Sequence, residues 1–279
     1  HCVTRRQRQM CIRDSLMESE LENSLAGPEK IGRAKRLEDA NGRYIEFLKG
    51  TFPKSQRLDG LKIVIDCANG ASYISAPLIL WELGAEVIQI ATQPNGTNIN
   101  FECGSTNTNK LAKKVLEEKA DIGIALDGDG DRLAVIDEKG HLVNGDQILA
   151  LLAIEMSKDK KLKNNNVVGT SMANMGLETL LKKHNIGLIR AKVGDRYVKE
   201  KMISEDLNLG GEQSGHIILR DFTSSGDGIV VALQVLSILS RKKGKASDCL
   251  HLFSPLPQNL INFPVKERNI LNHEDTKLF

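Results

Sequence analysis

The chain has 279 residues, with 38 lysines and arginines against 36 aspartates and glutamates, so its formal net charge is only +2. This near-balance argues against duplex nucleic acid as a partner, because neutralising a phosphate backbone requires excess basic charge, and the 4% aromatic content supplies few base-stacking platforms. A composition of 41% hydrophobic and 27% charged residues is typical of a packed protein and excludes a disordered chain.

No feature of the sequence predicts a membrane or export function. The longest apolar run, residues 148–154, has seven members, whereas a membrane span needs about 20. No basic segment followed by an apolar one opens the chain, so we expect no export signal. The five cysteines are scattered and form no C-x-x-C pair, which predicts neither a disulfide framework nor a thiolate metal site. We therefore expect a cytoplasmic protein with neither nucleic acid nor membrane as partner.

The two ends of the chain differ from its middle. Residues 1–15 begin with His, are rich in arginine and lack periodicity, so we interpret them as a foreign or artefactual tail, with a natural basic arm as the alternative. Residues 16–40, with a loose helix over 16–25, are predicted to be the remnant of a preceding domain and a linker. Residues 254–279 are predicted to be a linker and the truncated start of a further domain, with a strand beginning at 260–265.

Between these ends, helix and strand patterns alternate along the chain. Up to residue 141 the predicted helices and strands, in chain order, are residues 34–48, 61–67, 73–83, 86–90, 110–119, 121–125 and 133–136. After Gly145 they are residues 146–156, 167–168, 177–183, 187–191, 197–203, 216–219 and 227–240. This alternation predicts two tandem three-layer α/β/α domains with mixed, mostly parallel sheets, at residues 41–141 and 142–253.

The strongest motif is Asp-Gly-Asp-Gly-Asp-Arg at residues 127–132, which directly follows a predicted buried strand. The carboxylates of Asp127, Asp129 and Asp131 would repel one another unless a cation lies between them. The intervening glycines allow the backbone to curl until the three side chains converge. Carboxylate oxygens suit a hard divalent ion, Mg²⁺ or Ca²⁺, so the motif predicts a metal site, with three surface aspartates in a turn as the plain alternative.

Two other interpretations of this motif are weaker. An EF-hand calcium loop would place acidic residues at Asp127 and Glu138, as found, but it needs glycine at the position of Arg132 and helices on both sides. A phosphatase with an aspartyl nucleophile is compatible with the glycines but explains neither the third aspartate nor the arginine.

The second motif is Gly-Gly-Glu-Gln-Ser-Gly-His at residues 210–216. Glu212 and Ser214 lie two residues apart, so in an extended loop both point to the same side. A carboxylate and a hydroxyl there suit the vicinal hydroxyls of a sugar. His216 could bind substrate or relay a proton. The alternatives are a surface charge for Glu212 and a structural histidine for His216.

A third motif, Lys-Val-Gly-Asp-Arg-Tyr at residues 192–197, lies between a predicted strand and a predicted helix. Gly194 would form the turn, and Asp195 would either cap the helix or contact a ligand. Arg196 would either meet a phosphate or stay on the surface.

Taken together, these residues resemble the α-D-phosphohexomutase family. The resemblance extends from about residue 16 to at least 253. It is carried by residues 42–47, 65–71, 98–100, 125–132, 191–198 and 210–218. The acidic loop (residues 127–132) and the Glu-x-Ser loop (residues 210–216) are shared across the family, whereas residues 191–198 point to its glucosamine branch.

The resemblance implies four α/β domains around a central cleft, of which this chain would hold the second and third and the tail of the first. It implies a reaction that interconverts glucosamine 6-phosphate and glucosamine 1-phosphate through a phosphoserine and a bisphosphate, toward UDP-N-acetylglucosamine and the cell wall. A hexosamine phosphate would be the substrate. The alternatives are phosphomannomutase or phosphoglucomutase activity, or a non-catalytic module that binds sugar phosphate or Mg²⁺.

The resemblance also implies a role for each candidate residue. Mg²⁺ would be held by Asp127, Asp129 and Asp131, with Arg132 in support. The sugar phosphate would be bound by Glu212, Ser214, His216, Gly194, Asp195 and Arg196. The family's nucleophile loop, of the Ser-His-Asn-Pro type, and its phosphate-gripping loop of the fourth domain are both missing from this sequence. We therefore expect this chain to depend on the missing first and fourth domains and to be inactive alone.

Overall fold

Two separate β-sheets, each flanked by helices, form the framework of the structure. The structure is a computed structural model that describes residues 26–34 and 37–258. The predicted tail at residues 1–15, the helix at 16–25 and the strand start at 260–265 lie outside the described residues. In the described ranges, no helix is both long enough and apolar enough to cross a membrane.

The first unit is built around a five-stranded mixed sheet. Its elements, in chain order, are α1 (Ala40–Thr51), β1 (Lys62–Asp66), α2 (Ser75–Glu82), β2 (Glu86–Ile90), α3 (Asn109–Glu118), β3 (Ile122–Leu126), β4 (Leu133–Asp137) and β5 (Leu142–Val143). The strand order is β2-β1-β3-β4-β5, with β1 parallel to β2 and β3, and β4 antiparallel to its neighbours. Because β1 and β3 run in the same direction, the loops that follow them emerge at the same edge of the sheet.

The second unit repeats this plan with four strands. Its elements are α4 (Gly145–Lys158), β6 (Asn166–Thr170), α5 (Met175–Lys183), β7 (Gly187–Ala191), α6 (Asp195–Ser204), β8 (Leu209–Gly211), β9 (Ile217–Leu219), α7 (Gly228–Lys242) and α8 (Ala246–Leu250). The order is β7-β6-β8-β9, and only β9 is antiparallel to its neighbour. The loops after β7 and β8 therefore leave the sheet on the same side, which brings the third and second sequence motifs together.

Local sequence explains why these helices begin where they do. The side chain of Asn144 accepts a hydrogen bond from the N–H of Gln147 and caps α4. Asp227 caps α7 in the same way, through the N–H groups of Ile229 and Val230. The apolar run of residues 148–154 is buried throughout, because α4 packs against β8, α5 and α7.

The two units share one hydrophobic core. Helix α7 follows the second sheet in the chain, yet it contacts β3 and β4 of the first sheet and also helix α1. Leu126, Leu133 and Leu236 belong to the same buried cluster. Burial of this shared apolar surface holds the ends of the two sheets close together.

The predicted fold class is confirmed, with local differences. The first predicted helix begins at Ala40 instead of residue 34, because its core-facing residues, Ile45 and Leu48, lie only in the later part. Strands β5 and β8 and helix α8 were not predicted. Each is five residues or shorter, and β8 has the sequence Leu-Gly-Gly, which carries no strand pattern.

Candidate functional site

The loop after β3 gathers the three predicted aspartates. Oδ1 of Asp127 accepts hydrogen bonds from the N–H groups of Asp131 and Arg132, both at 3.1 Å. Gly130, with a φ of +76°, provides the bend. One carboxylate oxygen from each of Asp127, Asp129 and Asp131 lies within 4.8 Å of the others. Asp127 and Asp131 are buried, whereas Asp129 is exposed at the mouth of the site.

A second loop, which follows β1, contacts the acidic loop through its backbone. The N–H of Ala71 donates to the carbonyl of Gly128 at 2.8 Å. A side chain on Gly70 would overlap the same carbonyl, so only glycine permits this approach. The buried carboxylate of Asp66 accepts from the N–H groups of Ala68 and Gly104, both at 2.9 Å, and so joins two loops at the edge of the sheet.

The carboxylates of the acidic loop have little positive charge close to them. Burial, and then the negative charge of Asp131, raises the pKa of Asp127 to about 7. The Nε atom of Arg132 lies 3.7 Å from Asp127 and 3.9 Å from Asp131, too far for a hydrogen bond to either carboxylate. The buried Oδ1 atom of Asp131 has no hydrogen-bond partner among the described residues. Three converging carboxylates, one with an orphaned oxygen, fit a hard divalent cation.

His216 lies directly behind the acidic loop. Its Nδ1 atom is 3.3 Å from Oδ2 of Asp131, its ring packs against the backbone of Gly226, and its exposed fraction is 3%. Burial disfavours the Asp131 carboxylate, but the hydrogen bond and charge of His216 lower the pKa of Asp131 overall. Burial likewise opposes the imidazolium form, but Asp131, Asp195 and Glu212 raise the pKa of His216. The structure thus places His216 in contact with a predicted metal ligand.

The Glu-x-Ser loop is attached to the acidic loop through the backbone. Arg132 and His216 form an antiparallel bridge, and the N–H of Leu133 donates to the carbonyl of Gly215 at 3.1 Å. Gly215, with a φ of +90°, turns the chain so that Glu212 is half-buried and Ser214 is exposed. The acidic loop and the candidate sugar-binding residues Glu212 and Ser214 therefore form one continuous surface.

The third motif joins this surface through Glu212. The Oε1 atom of Glu212 accepts a hydrogen bond from the N–H of Gly194 at 2.9 Å. Gly194, and not Asp195, occupies the N-cap position of α6, and Asp195 is the first residue inside the helix. Arg196 is exposed and pairs with Glu200 at 2.7 Å. The structure therefore brings Glu212, Ser214, His216 and Gly194 to adjoining loops and Asp195 to the start of α6, whereas Arg196 pairs along its own helix.

A cleft of about 520 Å³ opens beside Asp129 and Asp131. One wall comes from α1 and the other from the loop between β9 and α7; the walls are formed by Arg43, Tyr44, Phe47 and residues 222–227. Sequence reasoning did not select any of these wall residues as functional. The only signal was the stretch Gly-Arg-Tyr-Ile-Glu-Phe at residues 42–47, which contributed to the family resemblance without a predicted role.

Comparison with known proteins agrees with this architecture. Two family profiles match consecutive parts of the chain: phosphoglucomutase/phosphomannomutase alpha/beta/alpha domain II at residues 42–140 and domain III at residues 144–256. A phosphoglucosamine mutase of Granulibacter bethesdensis is 54% identical over 264 residues, which are 95% of this chain and 58% of that protein. One from Zymomonas mobilis is 57% identical over 238 residues, covering 85% of this chain and 54% of that protein.

Solved structures share the fold at lower identity. The N-acetylphosphoglucosamine mutase of Aspergillus fumigatus, solved with GlcNAc-6P and magnesium, has a TM-score of 0.65 at 22% identity and covers 85% of this chain and 54% of that one. The chain thus spans little more than half the length of the relatives that it matches. Both profiles and both curated relatives lead to the same assignment: the chain belongs to the phosphoglucomutase/phosphomannomutase family and contains its second and third α/β/α domains.

Proposed function

We propose that this chain supplies the metal-binding and sugar-recognising parts of a phosphosugar mutase that interconverts glucosamine 6-phosphate and glucosamine 1-phosphate. The observation that carries this proposal is the bridge between Arg132 and His216, which fixes the acidic loop beside the Glu-x-Ser loop. A metal site and a sugar-hydroxyl site in contact are the two parts that phosphoryl transfer on a sugar needs. The names of the curated relatives support the hexosamine substrate.

For the metal, we propose Mg²⁺ held by Asp127, Asp129 and Asp131. Mg²⁺ prefers oxygen ligands and binds through few carboxylates plus phosphate oxygens, which suits a loop whose third carboxylate, Asp129, is exposed. When bound, Mg²⁺ would supply positive charge beside the phosphoryl group. Arg132 would add a second cation at the same place, and His216 would keep the Asp131 carboxylate charged and oriented.

For the sugar, we propose recognition by Glu212 and Ser214. The Gly194 amide holds one oxygen of Glu212, so the other is available to accept from a sugar hydroxyl, and exposed Ser214 can both donate and accept. Asp195, the first residue of α6, would border this site, and Arg196 would bind the phosphate by leaving its ion pair with Glu200. The positive end of the α6 dipole favours an anion there.

We further propose that turnover requires a nucleophilic phosphoserine and a phosphate-gripping loop outside these 279 residues. The expected result is that the purified chain binds ligands but shows no mutase activity. Activity of the chain itself, free of contaminating enzyme, would overturn this part.

A cytoplasmic location is proposed as well, supported by the unpaired state of buried Cys67, Cys103 and Cys249.

The test is a titration of the chain with glucosamine 6-phosphate, glucose 6-phosphate and mannose 6-phosphate by calorimetry at saturating Mg²⁺. We expect glucosamine 6-phosphate to bind most tightly and Glu212→Ala to weaken it about tenfold or more, because a charge-assisted hydrogen bond contributes about 1.5–3 kcal/mol. The exposed control Glu205→Ala should bind like wild type. Equal binding by Glu212→Ala would contradict the proposed sugar site, and tighter binding of mannose 6-phosphate would contradict the substrate.

A further inference from the structure

The first residues of α7 contact the backbone of the acidic loop. The N–H of Gly228 donates to the carbonyl of Gly130 at 2.8 Å, and Gly130 lies between Asp129 and Asp131. A side chain at position 228 would come within 2.7 Å of the carbonyl of Arg132, so the two backbones are in tight contact. The start of α7 is therefore in direct contact with the backbone between Asp129 and Asp131.

Asp227 sets the position of that helix start with both of its carboxylate oxygens. Oδ1 accepts from the N–H groups of Ile229 and Val230, each at 3.0 Å. Oδ2 accepts from the hydroxyl of Tyr44 at 2.8 Å. The preceding residue, Gly226, packs against the ring of His216, which contacts Asp131. The segment 226–228 thus touches the acidic loop by two routes.

Tyr44 provides the link from the opposite side of the cleft. It lies on α1, 183 positions before Asp227 in the chain, and both residues line the cleft beside Asp129 and Asp131. Burial, and then the charge of Asp227, raises the pKa of Tyr44 above its usual range, so the hydroxyl keeps its proton and remains a donor at neutral pH. Burial raises the pKa of Asp227, and the hydrogen bonds from Val230, Tyr44 and Ile229 oppose that rise. A hydrogen bond from a hydroxyl to a carboxylate is charge-assisted and stronger than one between neutral groups.

We infer that Tyr44 and Asp227 are positioning residues for the acidic loop: their hydrogen bond fixes the start of α7, which in turn holds Gly130 and the His216 ring in place. This inference rests on the proposed metal function of the loop. The hydroxyl of Tyr44 donates to Asp227 and not to one of the three aspartates of the loop, so we expect its effect to pass through the α7 contact.

Tyr44→Phe in the 279-residue chain is the informative variant, because it removes one hydroxyl and changes no charge. We expect Mg²⁺ to bind about tenfold more weakly, the low end of what outer-shell substitutions produce. We also expect faster hydrogen exchange in peptides covering residues 226–230. Tyr73→Phe, which removes the same atom from an exposed tyrosine outside the cleft lining, is the matched control and should leave both measurements unchanged.

A double-mutant cycle separates positioning from general loss of stability. Asp227→Asn keeps a good helix cap but loses the carboxylate that Tyr44 contacts. If the two residues act as one unit, the double variant should bind Mg²⁺ within about twofold of the weaker single variant. All affinities are measured at a temperature where thermal unfolding shows each variant to be folded.

The outcomes are distinct. Wild-type Mg²⁺ affinity and exchange in Tyr44→Phe, with Mg²⁺ binding intact in wild type, would overturn this inference and leave the proposed function standing. Strictly additive losses in the cycle would also overturn it. Failure of wild type itself to bind Mg²⁺ would overturn the proposed function and this inference together.

Discussion

The Nδ1 atom of His216 lies 3.3 Å from Oδ2 of Asp131, and the backbone of His216 is bridged to Arg132 in the adjacent position. One residue thus connects a loop from the first sheet to a loop from the second through both its side chain and its backbone. The proposed metal and sugar sites therefore cannot move independently, so a change in one loop should be detected in the other.

His216→Gln should weaken Mg²⁺ binding about 10–100-fold, the range for losing the partner of a metal ligand. It should also lower the free energy of unfolding by about 1–3 kcal/mol, because the buried Asp131 carboxylate loses its hydrogen bond. Calorimetry with Mg²⁺ and urea denaturation measure the two effects. Unchanged Mg²⁺ affinity would show that the contact does not serve the metal site. His184→Gln, at an exposed position, is the control.

Gly215→Ala should separate the two loops. The backbone at Gly215 has a φ of +90°, and a side chain there would overlap the carbonyl of Leu133. We expect a loss of at least about 2 kcal/mol in unfolding free energy from strain and steric overlap. Gly50→Ala is the matched control: Gly50 lies in α1 with open space around it, so alanine should be neutral or stabilise by about 0.5–1 kcal/mol. Equal stability of the two variants would contradict the close approach.

Asp137 should make the chain sensitive to acid. Its buried carboxylate accepts from the N–H groups of His141 and Lys139 and lies 2.9 Å from Nε2 of His251. Burial alone would raise the pKa of Asp137, but these hydrogen bonds lower it overall. A lowered folded-state pKa gives stability that is present above the unfolded-state pKa and lost as the pH falls through the folded one.

Asp137→Asn should therefore cost about 1–3 kcal/mol at pH 7, and the difference from wild type should shrink below pH of about 4. Denaturation curves from pH 7 to pH 3 provide the measurement. Exposed Asp248→Asn should behave like wild type throughout. A difference that stays constant with pH would refute this role for Asp137.

The sequence predicts a structural feature well where that feature depends on residues that are neighbours in the chain. The aspartates of residues 127–132 converge because alternating glycines bend a short loop, and the spacing alone predicts this. For Glu212 and Ser214 the spacing predicts an extended loop, but residues 212–215 form a turn in which the N–H of Gly215 donates to the carbonyl of Glu212 at 3.0 Å. In contrast, the contact between Tyr44 and Asp227 joins residues 183 positions apart, and no local pattern reports it. The packing of α7 on the first sheet also depends on the shared core, which is a property of the whole fold.

Binding of Mg²⁺ to wild type and to Asp129→Asn tests the central claim most directly. Asp129 is exposed, and the backbone hydrogen bonds that shape the loop end on Asp127 instead, so the variant removes a ligand charge and leaves the loop intact. We predict one Mg²⁺ per wild-type chain and a loss of at least about tenfold in affinity for Asp129→Asn, with Asp127→Asn weaker still. Equal Mg²⁺ binding by wild type and both variants would contradict the account.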